Sequence, residues 1–287
     1  MTPLRQRMLE DMQLRGLAAR TQESYLGAVQ QLALHFHRSP DLLTEDELRQ
    51  YFLYLRNVKR VAPNTSNVAL NAVKFLFVHT LHRPWPLGDL VRPPIPKKLP
   101  IVLSPEEVWR VVDHVRRPHY RVCLSVIYAC GLRLLEGVRL QVSQIDSARM
   151  QLHIRGGKGN KDRAIPLPPR TLTLLRAHWR LHRNPVWLFP GTPSSHEQHA
   201  RVPMDESGLQ KAFRHAVQAA GVSKRATIHS LRHSWATHLL ESGVSVRVIQ
   251  LWMGHTSPTT TAIYTHLTQH AEQAAATALE RLTAGLP

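Results

Sequence analysis

A run of prolines in the first half of the chain separates two regions with different sequence patterns. Six prolines fall within residues 84–100: Pro84, Pro86, Pro93, Pro94, Pro96 and Pro100. Proline lacks the amide hydrogen that helices and inner strands use, so this stretch predicts an extended linker. We therefore expect a first domain over residues 1–83, a linker over 84–103 and a second domain over 104–287. The linker also carries basic residues, and it is either a plain spacer or a strap along a polyanion.

The first region has the sequence pattern of a run of helices. Apolar residues recur at helical spacing between residues 21 and 37. Thr44 is followed three residues later by a glutamate, a capping box that predicts the start of another helix. With one helix beginning at Pro3 and another opened by Asn64 or Thr65, four short helices are expected to form a small all-α module.

The second region alternates between helical and strand patterns. Ser104 opens a second capping box, and an apolar helix is expected over about 119–130. Between residues 142 and 167 the runs VSQI, MQLHI and RAIPL are β-prone, and the turn-rich GGKGNKD connects the last two as a hairpin. Further helices are expected over 171–182 and 207–220. The sequence thus predicts a mainly α fold with a small antiparallel sheet.

The charge of the chain points to a polyanionic partner. Lys and Arg number 37 against 20 Asp and Glu, a formal net charge of +17. Residues 1–90 hold 11 basic and 8 acidic residues, so most of the excess lies in the second region. An excess of this size favours nucleic acid over a membrane surface, because no basic amphipathic anchor stands out.

Cysteine usage and hydropathy indicate a cytoplasmic protein. Cys123 and Cys130 are seven residues apart in an apolar run, which predicts reduced core residues rather than a disulfide. The N-terminal residues are too charged for a signal peptide, and no apolar run reaches the length that spans a membrane. We expect no membrane partner.

The residues that can carry chemistry are concentrated between His229 and Tyr264. His229 and Arg232 are three apart and share one face of a predicted helix. A second short helix is expected over 246–253, His255 follows it on a turn, and Tyr264 lies in a third helix. Fixed cations stabilise a phosphoryl transition state, and a tyrosine hydroxyl can form a covalent bond to phosphate. This set suits transfer at a phosphodiester.

Two long motifs in this stretch resemble the signatures of the tyrosine recombinases, also called the phage integrase family. They are HSLRHSWATHLL and MGHTSPTTTAIYTH. Upstream, GLRLLE resembles the first arginine patch of the family, GKGNKDR resembles its β-hairpin lysine motif, and RTQESYLGAVQQLALHF resembles its core-binding domain. The resemblance covers nearly the whole chain.

The resemblance implies a role for each matching residue in DNA cleavage. Tyr264 would attack the scissile phosphate, giving a 3′-phosphotyrosyl bond and a free 5′-hydroxyl. Arg133 and Arg232 would clamp the non-bridging oxygens, with His255 donating to the same oxygens. Lys158 would protonate the leaving 5′-oxygen.

Two further residues would support this chemistry. His229 would assist deprotonation of the tyrosine, and Glu136 would orient Arg133. Read without the family, Arg133 could simply pair with Glu136, three residues on, and Lys158 could be solvated at a turn. The chain also departs from the usual pattern of the family, which has a small residue where Leu135 stands and a bulky apolar one where Gly137 stands.

The resemblance also implies an architecture and partners. A SAM-like helical core-binding domain and an α+β catalytic domain would close as a C-shaped clamp on double-stranded DNA. The enzyme would be a monomer in solution and a homotetramer on two paired DNA sites, with no metal, ATP or other cofactor. We expect site-specific recombination or integration, most plausibly of a mobile element. The predicted helix over 271–283 could dock on its own domain or on a neighbouring protomer.

Three other functions compete with this interpretation. His229 and His233 have the spacing of zinc ligands in HExxH, but Ser230 stands where that motif has its glutamate. A non-catalytic DNA-binding protein would explain the charge but would not require the phenol, the hairpin lysine and the paired arginines. A type IB topoisomerase shares the phosphotyrosine chemistry and would relax supercoils without choosing a site.

Overall fold

The computed structural model describes residues 2–88, 99–156, 162–191 and 198–254. The chain divides into two compact units, with the boundary between residues 98 and 99. Lys158, His255, Tyr264 and the predicted helix over 271–283 lie outside the described residues, as does most of the proline-rich stretch.

The described part of the first unit is helical. Its elements are α1 (Pro3–Leu14), α2 (Ala19–Phe36), a 3₁₀ turn (Pro40–Leu42), α3 (Glu45–Asn57), α4 (Pro63–Phe75) and a π-helix (Leu76–Thr80). The Thr44 capping box is present, with the backbone N–H of Glu47 donating to Thr44 and the Glu47 carboxylate accepting from the backbone N–H of Thr44. The fourth helix begins at Pro63, ahead of the predicted Asn64 or Thr65, because proline is well suited to the first helical turn.

Two clusters of apolar side chains hold this unit together. Leu32, Leu48 and Val73 are fully buried where α2, α3 and α4 meet. Met8 and Met12 on α1 pack against the π-helix with Leu76. The predicted all-α module is confirmed.

The second unit combines helices with one small sheet. Its helices are α5 (Pro105–Asp113), α6 (Pro118–Ala129), α7 (Leu134–Val138), α8 (Pro169–His182), α9 (Glu206–Ala219), α10 (Ile228–Glu241) and α11 (Val246–Met253). Strands β1 (Ile145–Asp146), β2 (Gln151–Ile154) and β3 (Arg163–Pro166) pair antiparallel in the order β1-β2-β3. The mainly α class with a small antiparallel sheet is confirmed, and no described helix combines the length and apolarity needed to cross a bilayer.

One strand prediction was partly wrong. In VSQI, residues Val142–Gln144 form a 3₁₀ turn, and only the isoleucine enters β1. The Gln144 side chain accepts a hydrogen bond from the backbone N–H of Gln141 at 2.8 Å, a local bond that competes with strand pairing. In the β2–β3 hairpin, Leu152 lies opposite Ile165, and both are buried.

The departure from the family pattern at Gly137 has a packing explanation. A Cβ atom at Gly137 would lie 2.5 Å from Cγ1 of Ile127 on α6. Ile127 therefore fills the space that a bulky residue at 137 would need, and α7 lies close against α6. This contact fixes the short helix that follows Arg133. Cys123 and Cys130 are free and buried in the same core, as predicted.

Candidate active site

The site begins at the turn between α6 and α7. Gly131 ends α6 with φ of +58°, and an added Cβ would lie 2.3 Å from the Trp235 ring on α10. Both the backbone conformation and the space require glycine here. The turn brings Arg133 to the N-cap of α7, where its side chain is 23% exposed.

Glu136 lies one helical turn after Arg133 and binds it twice. Its Oε2 accepts from the backbone N–H of Arg133 at 2.8 Å, and its Oε1 accepts from the Arg133 Nη1 at 2.8 Å. The structure thus brings together the two residues predicted as a pair. A plain ion pair between Arg133 and Glu136 was also expected from the sequence without the family resemblance.

Arg163, at the start of β3, binds the same carboxylate through both ends of its guanidinium. Nη1 donates to Oε1 of Glu136 at 2.9 Å, and Nη2 donates to Oε2 at 2.7 Å. Its Nε donates to the Trp252 carbonyl on α11 at 2.7 Å. Sequence analysis missed this residue, although an arginine at the start of an apolar strand, directly after GKGNKD, is a signal that could have identified it.

Arg232 is almost completely enclosed, and its side chain is 2% exposed. Nη1 donates to the Gly131 carbonyl and Nη2 to the Met253 carbonyl, each at 2.6 Å. Nη1 also lies 3.9 Å from Oε2 of Glu136. Arg232 therefore ties the α6–α7 turn to the end of α11 as well as adding positive charge.

Three guanidinium groups surround one carboxylate, so the cluster has an excess of positive charge. Burial alone would raise the pKa of Glu136, but the hydrogen bonds and charge of Arg163, and then the backbone and side chain of Arg133, lower it to about 2. The carboxylate is therefore ionised at neutral pH. Arg133 has the most exposed side chain of the three arginines.

His229 lies in the first turn of α10, on the solvent-exposed surface. Neighbouring protein atoms partly desolvate its ring, which lowers its pKa, and the charges of Arg232 and Arg133 lower it further against the opposing effect of Glu136. Burial and the charges of His229 and Arg232 bring the pKa of the adjacent His233 to about 4. Both imidazoles are neutral at neutral pH, which is the form that accepts a proton.

The end of α11 completes the described part of the site. Gly254 has φ of +63°, and its carbonyl accepts from Nη2 of Arg133 at 3.3 Å. The structure thus brings Arg133, Glu136, Arg232 and Gly254 together. His255 follows Gly254 in the sequence, but its position, like those of Lys158 and Tyr264, falls outside the described residues.

Comparison with known proteins identifies the chain. The phage integrase family matches residues 102–271, and the SAM-like N-terminal domain of phage integrases matches residues 4–87. The chain belongs to the phage integrase family. Members of this family are tyrosine recombinases, enzymes that break and rejoin DNA, and the chain is one of them.

Relatives and solved structures agree with this assignment. The integrase is 45% identical over 265 residues to the Sinorhizobium fredii protein y4qK, whose name includes integrase/recombinase, with 92% of this chain and 84% of the relative covered. It is 35% identical over 202 residues to the tyrosine recombinase XerA of Pyrococcus furiosus, with 68% of each chain covered. A lambda integrase dimer bound to a core site has the same fold, with a TM-score of 0.69 at 18% identity over 90% of this chain and 93% of that one.

Proposed function

We propose that this integrase is a site-specific recombinase that cleaves and rejoins duplex DNA through a 3′-phosphotyrosyl intermediate. The observation that carries the proposal is the cluster around Glu136. It holds one partly exposed arginine against a largely enclosed, ionised carboxylate, beside two further arginines. Such fixed charge is suited to an oxyanion whose negative charge increases in the transition state.

In this mechanism the Tyr264 oxygen attacks the scissile phosphorus, and the bond from phosphorus to the 5′-oxygen breaks. The phenolic proton leaves to a base, for which the neutral His229 is our candidate because a free phenol with a pKa of about 10 is mostly protonated at neutral pH. Lys158 supplies a proton to the departing 5′-oxygen. Because the phosphodiester energy is retained in the phosphotyrosine, rejoining by the reverse steps requires neither ATP nor a metal.

Arg133 is proposed to contact the non-bridging oxygens directly, with His255 donating to the same oxygens. Arg232 is proposed to stabilise the negative charge of the same phosphate. Two of its N–H groups bind the carbonyls of Gly131 and Met253, which hold its guanidinium 3.9 Å from the Glu136 carboxylate. An arginine suits this position better than lysine because its planar group can bind a backbone carbonyl and an oxyanion together.

Double-stranded DNA is the proposed partner of both units. The net charge of +17 supports it, as do relatives whose structures contain DNA, such as the recombinase XerH bound to its difH substrate. The first unit is proposed to form the second jaw of a clamp around the duplex, joined by the proline-rich linker. Strand exchange is proposed to use a homotetramer on paired sites, assembled on DNA from monomers, and the mobility of an element is the proposed biological setting.

The test is covalent attachment to a duplex with a nick close to the cleavage site, so that the cleaved end diffuses away and the intermediate accumulates. The wild-type protein should give a DNA–protein adduct that survives denaturation, while Tyr264→Phe should bind the duplex and give none. Tyr128→Phe is the matched control, because the Tyr128 side chain is half-buried and its hydroxyl is bonded to His238 at 2.8 Å. Adduct formation by Tyr264→Phe would contradict the assignment of the nucleophile.

A further inference from the structure

We infer that Arg163 is a positioning residue, which holds the Arg133 guanidinium in place through Glu136 and Gly254. The inference rests on the proposed function, in which Arg133 contacts the scissile phosphate. Arg163 itself is enclosed, since its side chain is 7% exposed. Its effect on the reaction must therefore pass through the groups that it binds.

The first of these groups is the Glu136 carboxylate. A carboxylate can rotate about its last bond, and a single hydrogen bond does not fix its plane. The two parallel bonds from Arg163, at 2.9 and 2.7 Å, do fix it, and both oxygens then face Arg133. Because the same oxygens accept the backbone N–H and Nη1 of Arg133 at 2.8 Å, the orientation set by Arg163 is passed on to Arg133.

The second group is the turn that ends α11. Nε of Arg163 donates to the Trp252 carbonyl, and a Cβ atom added to Gly254 would lie 3.0 Å from Cδ of Arg163. The Gly254 carbonyl in turn accepts from Nη2 of Arg133. Arg133 is thus held on two sides, by Glu136 and by Gly254, and Arg163 contacts both.

A lysine in place of Arg163 would keep the charge but could not make these contacts together. It has one nitrogen, which can reach either Glu136 or the Trp252 carbonyl but has no planar fork to fix the carboxylate. The electrostatic balance of the cluster would survive while the orientation of Arg133 would loosen. Arg163→Lys therefore separates positioning from charge.

The experiment measures single-turnover adduct formation and DNA affinity for Arg163→Lys. We expect cleavage to slow by roughly 100-fold, because a small misplacement of a phosphate ligand has effects of that order. The DNA dissociation constant should stay within about threefold, since Arg163 is buried and most affinity comes from many phosphate contacts. Arg149→Lys is the matched control. Arg149 also pairs with a carboxylate, that of Asp146 in the same sheet, but its side chain is 78% exposed. The Arg149→Lys protein should therefore cleave at the wild-type rate.

A double-mutant cycle with Arg133→Ala then tests whether Arg163 acts through Arg133. The double variant Arg133→Ala/Arg163→Lys should be no slower than Arg133→Ala alone, because the group being positioned is gone. If the two losses multiply, or if Arg163→Lys cleaves like Arg149→Lys, the inference is wrong. If the wild-type protein forms no adduct, the proposed function fails first, which is a separate outcome.

A second variant keeps the inference testable if Arg163→Lys unfolds. Glu136→Gln keeps the shape of the side chain that connects Arg163 to Arg133 but loses its charge. It should slow cleavage as Arg163→Lys does and should likewise show no added loss on top of Arg133→Ala. A Glu136→Gln protein that is folded and cleaves at the wild-type rate would overturn the connection from Arg163 to Arg133.

Discussion

The second unit contains two clusters of polar side chains. The side chains of one cluster are charged, and those of the other are neutral. Around Glu136, an ionised and largely enclosed carboxylate pairs with three guanidinium groups. On α8, His178 and His182 are buried as neutral rings, with His178 stacked on Phe189 at 5.3 Å. The difference follows from the partners that each cluster has.

Glu136 accepts hydrogen bonds that compensate for its desolvation, and its pKa falls to about 2. Among the residues that the structure describes, no carboxylate forms an ion pair with His178. Burial, then the charges of His182 and His119, lower its pKa to about 4. Charge is thus kept where it orients a residue that we propose to contact the substrate, and it is excluded where packing alone is needed.

Removal of the Glu136 carboxylate should have the largest effect on stability and cleavage. Glu136→Ala leaves three arginines without their shared counter-charge, so we expect a loss of about 3 kcal/mol or more in the free energy of unfolding, along with loss of cleavage. Urea unfolding measures the free energy of unfolding, and adduct formation measures cleavage. Wild-type stability in this variant would mean that the cluster is solvated.

Removal of the exposed arginine should separate chemistry from stability. Arg133→Ala should slow adduct formation by about 10²–10³-fold, because its contact is made to charge that increases in the transition state. DNA affinity should change by only a few fold, and unfolding should change little because the side chain is partly exposed. Filter binding and single-turnover cleavage measure the two quantities. Equal losses in both would assign Arg133 to binding alone.

A methyl group at the α6–α7 turn should disturb the cluster through the backbone. Gly131→Ala imposes a left-handed backbone on alanine and a collision with Trp235, so we expect a loss of about 3 kcal/mol in unfolding free energy. Gly221→Ala is the control. It has φ of +65° with open space around it, and should lose only about 1 kcal/mol. Equal losses at the two positions would exclude the Trp235 contact as a cause.

Acid should destabilise the two clusters in separate pH windows. The folded-state pKa of His178 lies below its ordinary value of 6.5, so the unfolded state takes up a proton first and stability falls as the pH drops from about 6.5 to about 4. Glu136 also has a lowered pKa, so its contribution is present above about 4.5 and is lost towards about 2.

Replacement of the buried histidine tests the first of these windows. His178→Phe keeps a ring stacked on Phe189 and should remove the contribution of His178 to this loss, about 3 kcal/mol between pH 6.5 and 4. The contribution of His233, whose pKa is also about 4, and the Glu136 loss below about pH 4.5 should remain. Urea unfolding from pH 7 to pH 3 measures both phases. An unchanged first phase in this variant would shift the assignment to His182 or His119.

Local sequence rules predicted most of the helices but not the way in which they meet. The capping boxes at Thr44 and Ser104 and the stop at Gly254 depend on neighbouring residues, and the structure has all three. Pairing of Arg133 with Glu136 was predictable for the same reason. Arg163 reaches Glu136 across 27 residues and Arg232 reaches Gly131 across 101, and no local pattern encodes such contacts.

Hydrophobic period does not encode the side-chain hydrogen bond in the 3₁₀ turn of VSQI, nor the packing of the π-helix after Phe75 against α1. The motif resemblance supplied the candidate site residues before any contact was known. For Arg232 it indicated a phosphate ligand, and the structure adds that this side chain is buried and holds two turns together. The predicted positions of Lys158, His255 and Tyr264 stay predictions.

Capture in cells of a covalent bond between Tyr264 and DNA is the most direct test of the proposed cleavage at a chosen site. Cells expressing the wild-type protein or Tyr264→Phe are lysed under denaturing conditions, the protein is digested, and DNA ends that still carry a peptide are sequenced. Discrete ends that are absent from the Tyr264→Phe sample are the predicted result, and they would also reveal the recombination site. Ends scattered without a common sequence, or ends that persist in Tyr264→Phe, would contradict it.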